Sequence, residues 1–350
     1  MPEDNEQKGG QTTSGLRHWI EATFAFRQGL GAPKLGLGPY ANVIDLGDGR
    51  GLAFCTDGVG TKVLVAQMLD RYDTVGIDCV AMNVNDLICI GAEPLSLVDY
   101  IAVEEQDPSF LEAIAKGLHE GARQAGITVV GGEIAQLPEI IKGERPGRGF
   151  DLAASAVGIV RLDQLILGED IRPGDALVGL ASSGIHSNGL TLARRVLFQD
   201  RGMDPSTRPD ELGRSIAEEL LEPTRIYVTP IMEMLRSSLH IRGLFHVTGE
   251  GLLNLTRHRS EIDWIINRLP KTPPIFSLIR LYGQLSDREM YTAFNMGLGF
   301  CVAVPPEEVE SVIEIAGKHG IPAWAVGHAA AQKGPKKRVV VEPKGLELTP

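Results

Sequence analysis

No stretch of the 350-residue chain approaches the roughly 18 consecutive apolar residues that a membrane helix requires. The sequence therefore predicts a protein that does not span a membrane. Its start, MPEDNEQKGGQTTSG, lacks the basic opening and apolar run of a secretory signal, so the expected location is cytoplasmic. Excess positive charge is missing too. The 34 Lys and Arg residues face 45 Asp and Glu, a net charge of −11. A general nucleic-acid binder needs a basic surface to meet phosphates, which leaves small molecules as the expected partners. None of the four cysteines (Cys55, Cys79, Cys89 and Cys301) forms a CxxC pair, which excludes a zinc knuckle or a dithiol redox site. Each sits among apolar neighbours and reads as a small buried hydrophobe. No short-period solenoid repeat is present.

A composition of 43% hydrophobic and 23% charged residues is that of a globular protein. At about 150 residues per domain, the length predicts two domains. A flexible tail is expected at residues 1–14 and a first domain over 15–168. The second, over 169–350, follows the polar run GEDIRPGD. Helices are expected over 16–28, 74–91, 108–125, 210–221, 223–237 and 307–319. In the 74–91 segment Ile77, Val80, Ala81, Val84, Leu87 and Ile88 recur at helical spacing. Strands are expected over 41–46, 51–55, 95–103, 127–130, 150–160, 176–181, 244–248, 262–267, 298–304 and 323–326. Helices and strands that do not follow strict βαβ order predict an α+β fold.

Several segments combine glycine with carboxylate, amide or hydroxyl groups. In Asp57-Gly58-Val59-Gly60-Thr61-Lys62 the glycines let backbone N–H groups approach an anion. Lys62 could pair with a phosphate there, and Asp57 could hold a divalent cation. The alternative is a plain strand-to-helix turn with a solvated lysine. Asp78, Asn85 and Asp86 form a polar patch on an otherwise apolar helix, which is costly to bury unpaired. Magnesium takes oxygen ligands of this kind. Gly131-Gly132-Glu133 is expected at a strand end, with Glu133 as a third carboxylate. Ser182-Ser183-Gly184-Ile185-His186-Ser187-Asn188-Gly189 opens a helix. Ser187 or Asn188 could cap that helix, and His186 could bind phosphate or stabilise developing charge. His246-Val247-Thr248-Gly249-Glu250-Gly251 is a softer candidate for phosphate contact, opposed by Glu250 unless that side chain points away.

Taken together and in order, TDGVGTK, NVNDLICIGAEP, VVGGE, ASSGIHSNG, EPTRIYV, FHVTGEG and NMGLGF closely resemble the aminoimidazole ribonucleotide synthetases, the phosphoribosylformylglycinamidine cyclo-ligases of purine synthesis. The resemblance runs from about residue 50 to about residue 342. It implies a two-domain α+β chain whose N-terminal sheets pair across a homodimer, with a C-terminal α/β sandwich. It also implies ATP and Mg2+ as cofactors, and a reaction in which ATP phosphorylates a formyl amide oxygen before the imidazole ring closes. Residue by residue, it implies nucleotide binding by Asp57, Gly58, Gly60, Thr61, Lys62, Gly131, Gly132, Ser187 and Asn188. It further implies metal binding by Asp57, Asp86 and Glu133, and catalysis by Lys62, Asp86 and His186. Three departures stand out. No YxDAGVD-like segment precedes residue 40, IAQLPEII replaces the family's TAEMPGMY, and Glu250 occupies a position where TGGG has glycine. They leave a paralogous ATP-dependent phosphotransferase of the same superfamily as the alternative.

Overall fold

The computed structural model describes residues 15–350, and the tail expected at 1–14 lies outside the described residues. Residues 15–22 are helical and pass into a 3-10 turn at Thr23–Phe26. The first sheet contains β1 (Asn42–Asp45), β2 (Arg50–Gly58), β3 (Glu93–Val103), β4 (Thr128–Gln136) and β5 (Phe150–Arg161), in the order β1-β2-β5-β3-β4. β3 and β4 run parallel, so their connection must cross the sheet. The helix Pro108–Ala125 does this. Its limits are written in the chain. Asp107 accepts the N–H of Phe110, Pro108 fills the first turn, and Gly126 closes the helix in the left-handed region.

β5 alternates strictly, with Leu152, Ala154 and Ala156 turned inward and Asp151 and Ser155 outward. The inward face is covered by the helices Val75–Cys89 and Pro108–Ala125. On the outward face Phe54, Val98 and Tyr100 are left exposed. The Val75–Cys89 helix is the centre of the molecule. It packs on the first sheet, on the Pro108–Ala125 helix and on elements of the second half. Being enclosed on all sides, it buries Asp78, Asn83 and Asn85 as well as its apolar residues.

Glycines let the two helices touch. A Cβ on Gly117 would lie 2.7 Å from the carbonyl oxygen of Asp73 and 2.9 Å from the nitrogen of Gly76. We predict that Gly117→Ala lowers stability by about 1–3 kcal/mol through overpacking, despite alanine's better helix propensity. A urea midpoint equal to or above that of the unsubstituted protein would contradict this.

The second sheet contains β6 (Ala176–Ala181), β7 (Gly243–His246), β8 (Ile262–Ile266), β9 (Leu298–Val304), β10 (Ala323–Ala331), β11 (Val339–Val341) and β12 (Leu346–Leu348). Its order is β12-β11-β8-β10-β6-β9-β7. β6 and β9 are continuously apolar and buried along almost their whole length, the mark of strands covered on both faces. The helix Val309–Lys318 packs on β6 and β10. The protein is α+β, as the sequence predicts.

The details differ in places. The helix expected over 210–221 contracts to Ile216–Leu220, the helix expected after the 57–62 loop runs over Lys62–Leu69, and helices at Pro274–Gly283 and Asp287–Ala293 were not anticipated. The most consequential difference is in β4. It runs on to Gln136, so Gly131, Gly132 and Glu133 lie within an edge strand rather than at a strand end. Glycine is needed at 132 because a Cβ there would meet the Asp99 side chain at 2.5 Å.

Candidate active site

β2 delivers Asp57 to the inward face, where its Oδ1 accepts the N–H of Gly58 at 2.7 Å. The ladder to β5 continues through Gly58. Gly60 then takes φ +66°, the left-handed turn that frees the chain to enter the Lys62–Leu69 helix. Thr61 reaches the second half, its Oγ1 lying 3.0 Å from that of Thr191. Asp86 projects from the Val75–Cys89 helix toward the same region. Burial pushes the Asp57 carboxyl up from its usual range, and the nearby Asp86 charge pushes in the same direction. Asp57 and Asp86 are thus two carboxylates of like charge near enough to act on each other. Asn83 braces the Asp57 main chain, its Nδ2 donating to the Asp57 backbone carbonyl at 3.2 Å.

Lys62 is held elsewhere. Its Nζ is fully buried, donating to Asp78 Oδ1 at 2.8 Å and to the Glu222 carbonyl at 2.5 Å. The same Asp78 oxygen accepts the Thr224 N–H at 2.7 Å, the Thr224 hydroxyl at 2.6 Å and the Ser187 hydroxyl at 3.1 Å. Lys62, Asp78, Ser187, Glu222 and Thr224 form a closed polar joint between the two halves. Asn85 is likewise committed across the junction. Its Nδ2 donates to the Arg225 carbonyl at 2.9 Å, and its Oδ1 accepts the Tyr227 N–H at 3.0 Å.

The loop at 182–189 is built by a second motif. Asn295 donates to the carbonyls of Gly184 and Ile185 and accepts the Ser182 hydroxyl. His186 takes φ +65°, and its Nε2 accepts the Ser183 N–H at 3.2 Å. Its Nδ1 is buried without a partner. Burial, with the nearby Lys62 charge adding to it, holds this imidazole well below its usual pKa, so the ring is neutral at pH 7. Asn188 lies against Gly249 of the HVTGEG segment. Glu250 accommodates φ +70°, a conformation suited to glycine, and points outward toward Arg257 at 3.5 Å.

Register places Gly58, Ala153, Tyr100 and Glu133 in one row across the sheet. Three strand spacings put Glu133 about 14 Å from Gly58. Because side chains alternate along a strand, Glu133 faces the outward side and Asp57 the inward side. Within one chain, Asp86 is near enough to Asp57 for its charge to act on that carboxyl, and Glu133 lies apart on the other face. No group of three or more His, Cys, Asp or Glu side chains able to hold a metal occurs among the described residues. A cavity of about 250 Å³ lies at the domain junction, lined in part by Tyr40, Ile90, Gly168, Phe245 and Arg257. None of the candidate nucleotide, metal or catalytic residues named from the sequence lines it.

Sequence reasoning missed two partners. His246 is fully buried with its Nδ1 2.9 Å from Asp86 Oδ1, and Thr224 is an anchor of the interdomain joint. Both lie in segments noted in the sequence, HVTGEG and EPTRIYV, but nothing local in either segment names the residue across from it.

The sequence profile described as AIR synthase related protein, N-terminal domain, matches residues 38–160, and that of the C-terminal domain matches residues 172–340. The chain belongs to the AIR synthase family. It is 46% identical over 345 residues to the phosphoribosylformylglycinamidine cyclo-ligase of Thermococcus kodakarensis, covering 98% of this chain and 97% of that protein. It is 49% identical over 295 residues to that of Methanocaldococcus jannaschii, covering 84% and 82%. Among solved structures, Escherichia coli HypE, a hydrogenase maturation protein, superposes with a TM-score of 0.59 at 19% identity, covering 85% of this chain and 84% of that one. T. maritima PurL complexed with ADP superposes with a TM-score of 0.56 at 19% identity, covering 94% and 48%. At such identities these two structures bear on the fold alone. Among the described residues no helix is long and apolar enough to cross a membrane.

Two buried histidines give the family member a pH signature. Burial holds His258 at about 3, with Lys337 adding to the effect, and His186 is lowered in the same direction. On unfolding both return to about 6.5. Below that value the unfolded chain binds more protons than the folded one, so stability is full above about pH 6.5 and falls as the pH drops. Each histidine contributes a slope of up to about 1.4 kcal/mol per pH unit. Urea midpoints should therefore be lower at pH 5.5 than at pH 7.5. Equal midpoints would contradict the neutral assignment.

Proposed function

We propose that the protein catalyses ATP-dependent ring closure of phosphoribosylformylglycinamidine to aminoimidazole ribonucleotide. The observation that carries this reading is the nearly full-length match to a cyclo-ligase, which runs through the N-terminal region where the YxDAGVD-like segment is missing. The chemistry divides into two steps. The formyl amide oxygen attacks the γ-phosphorus and ADP departs. A substrate nitrogen then attacks the formyl carbon, inorganic phosphate leaves with that oxygen, and the nitrogen loses a proton. The protein need only align the groups and neutralise charge.

The neighbouring carboxylates of Asp57 and Asp86 suit a hard divalent cation, because oxygen donors of like charge are relieved by one. Bound magnesium would offset charge on the ATP phosphates. Gly58 and Gly60 leave backbone room for a phosphate, and Gly60 has open space where a Cβ would stand. Thr61, Ser187 and Asn188 lie around the same junction, and Ser187 and Lys62 act through the polar joint that fixes it. His186 supports the loop as a neutral ring rather than as a cation. We assign the two domains to residues 15–168 and 169–350, and the location to the cytoplasm.

A homodimer formed through the outward sheet face fits the exposure of Phe54, Val98 and Tyr100. Glu133 faces outward at that edge of the sheet, so a contact it makes with nucleotide or metal is made across the dimer. The activity is tested with purified protein, Mg2+, ATP and the formylglycinamidine substrate. ADP and imidazole ribonucleotide should form in equal amounts. ATP binding without ring product would favour a paralogous phosphotransferase.

A further inference from the structure

We infer that His246 is a positioning residue, fixed as the Nδ1–H tautomer, that orients the Asp86 carboxylate from the opposite domain. The argument starts at Asn85. Its amide orientation is dictated twice, since a carbonyl (Arg225) faces Nδ2 at 2.9 Å and an N–H (Tyr227) faces Oδ1 at 3.0 Å. The amide therefore cannot be flipped without placing donor against donor. Its second Nδ2 hydrogen is left for His246 Nε2, 3.4 Å away. Nε2 must then offer a lone pair, and in a neutral imidazole the proton sits on Nδ1. Nδ1 lies 2.9 Å from Asp86 Oδ1, so it donates to that carboxylate.

The ring has little freedom to do otherwise. His246 ends β7 and is fully buried. It stacks on Phe300, with ring centroids 6.3 Å apart and planes 30° from parallel. Its carbonyl accepts the Tyr40 hydroxyl at 3.3 Å. One Asp86 oxygen is thereby pinned by a donor belonging to the second half, which fixes a carboxylate whose charge acts on Asp57. Histidine–carboxylate pairs orient metal sites in this way, and losing the outer member weakens metal affinity about 10–100-fold. The geometry also makes the Asp57–Asp86 pair depend on the docking of the two domains.

The inference rests on the reading that Asp86 holds a cation, and the test separates the two. Mn2+ binding to the full-length protein is measured from the loss of the free-ion electron paramagnetic resonance signal. His246→Asn keeps an N–H donor near the Nδ1 position and should bind Mn2+ within about threefold of the original. His246→Gln places its amide near the Nε2 position, and His246→Leu removes both nitrogens. Both should bind 10–100-fold more weakly. Asp86→Asn is the control. Unchanged Mn2+ binding by that variant would overturn the metal reading itself. Weak binding by Asp86→Asn, with unchanged binding by His246→Leu or better rescue by Gln than by Asn, would overturn the positioning role alone. Circular dichroism identifies any variant that fails to fold. Independently of all variants, 15N spectra of the unsubstituted protein should show a pyrrole-like Nδ1 and a pyridine-like Nε2 for the ring in contact with Phe300. The reverse pattern would overturn the inference.

Discussion

Lys62→Met should destabilise the protein by about 3–5 kcal/mol, the loss expected when one member of a buried ion pair is removed and its partner remains. The Asp78 carboxylate is fully buried, and Lys62 is its charged partner at 2.8 Å. Thr224 and Ser187 contribute three neutral donors to the same oxygen, which satisfy it without neutralising it. The double variant Lys62→Met, Asp78→Asn removes both charges together and should recover part of the loss, as coupled neighbours do in a double-mutant cycle. Urea unfolding of the two single variants and the double variant checks this. A single variant as stable as the original, with a raised KM for ATP, would return Lys62 to the role of a phosphate ligand that its place in the sequence first suggests.

Asp86→Asn carries the second large effect. The isosteric amide keeps the volume and can still face His246 Nδ1 with its oxygen, so the fold should survive. The charge that complements Asp57 is lost. Magnesium-dependent turnover should fall by on the order of 10²-fold or more, as when a preorganised electrostatic contact is deleted from a site. Steady-state kinetics across a magnesium titration, with unfolding midpoints alongside, distinguishes this from misfolding. Full activity at ordinary magnesium concentrations would remove Asp86 from the metal site.

How far the sequence discloses the site depends on the range of each interaction. The Pro108–Ala125 helix is legible to the residue, because Asp107, Pro108 and Gly126 are local signals. The Val75–Cys89 helix is legible from its apolar period, and its polar residues mark it as unusual. What they contact is not legible. Asp78 pairs with Lys62 one element earlier and with Thr224 on the far side of the domain boundary. Asn85 is held by backbone at 225 and 227, and Asp86 by His246. Such partners are brought together by the docking of the two sheets, and no spacing along the chain encodes them. Gly131-Gly132-Glu133 illustrates a different limit. Paired glycines signal a turn and an extended strand at a close approach equally well, and the packing of Gly132 on Asp99 decides for the strand. The Asp287–Ala293 helix could have been read from the Ser286 and Glu289 capping box, a local signal that lay in plain view.

Phosphorylation of the formyl oxygen is the central step of the proposed reaction, and isotope transfer tests it most directly. Phosphoribosylformylglycinamidine labelled with 18O at the formyl oxygen is converted with unlabelled ATP and magnesium, and the inorganic phosphate is analysed by mass spectrometry. One 18O atom per phosphate, matched one to one with imidazole ribonucleotide, is the predicted result. Label released into water, with unlabelled phosphate, would contradict it.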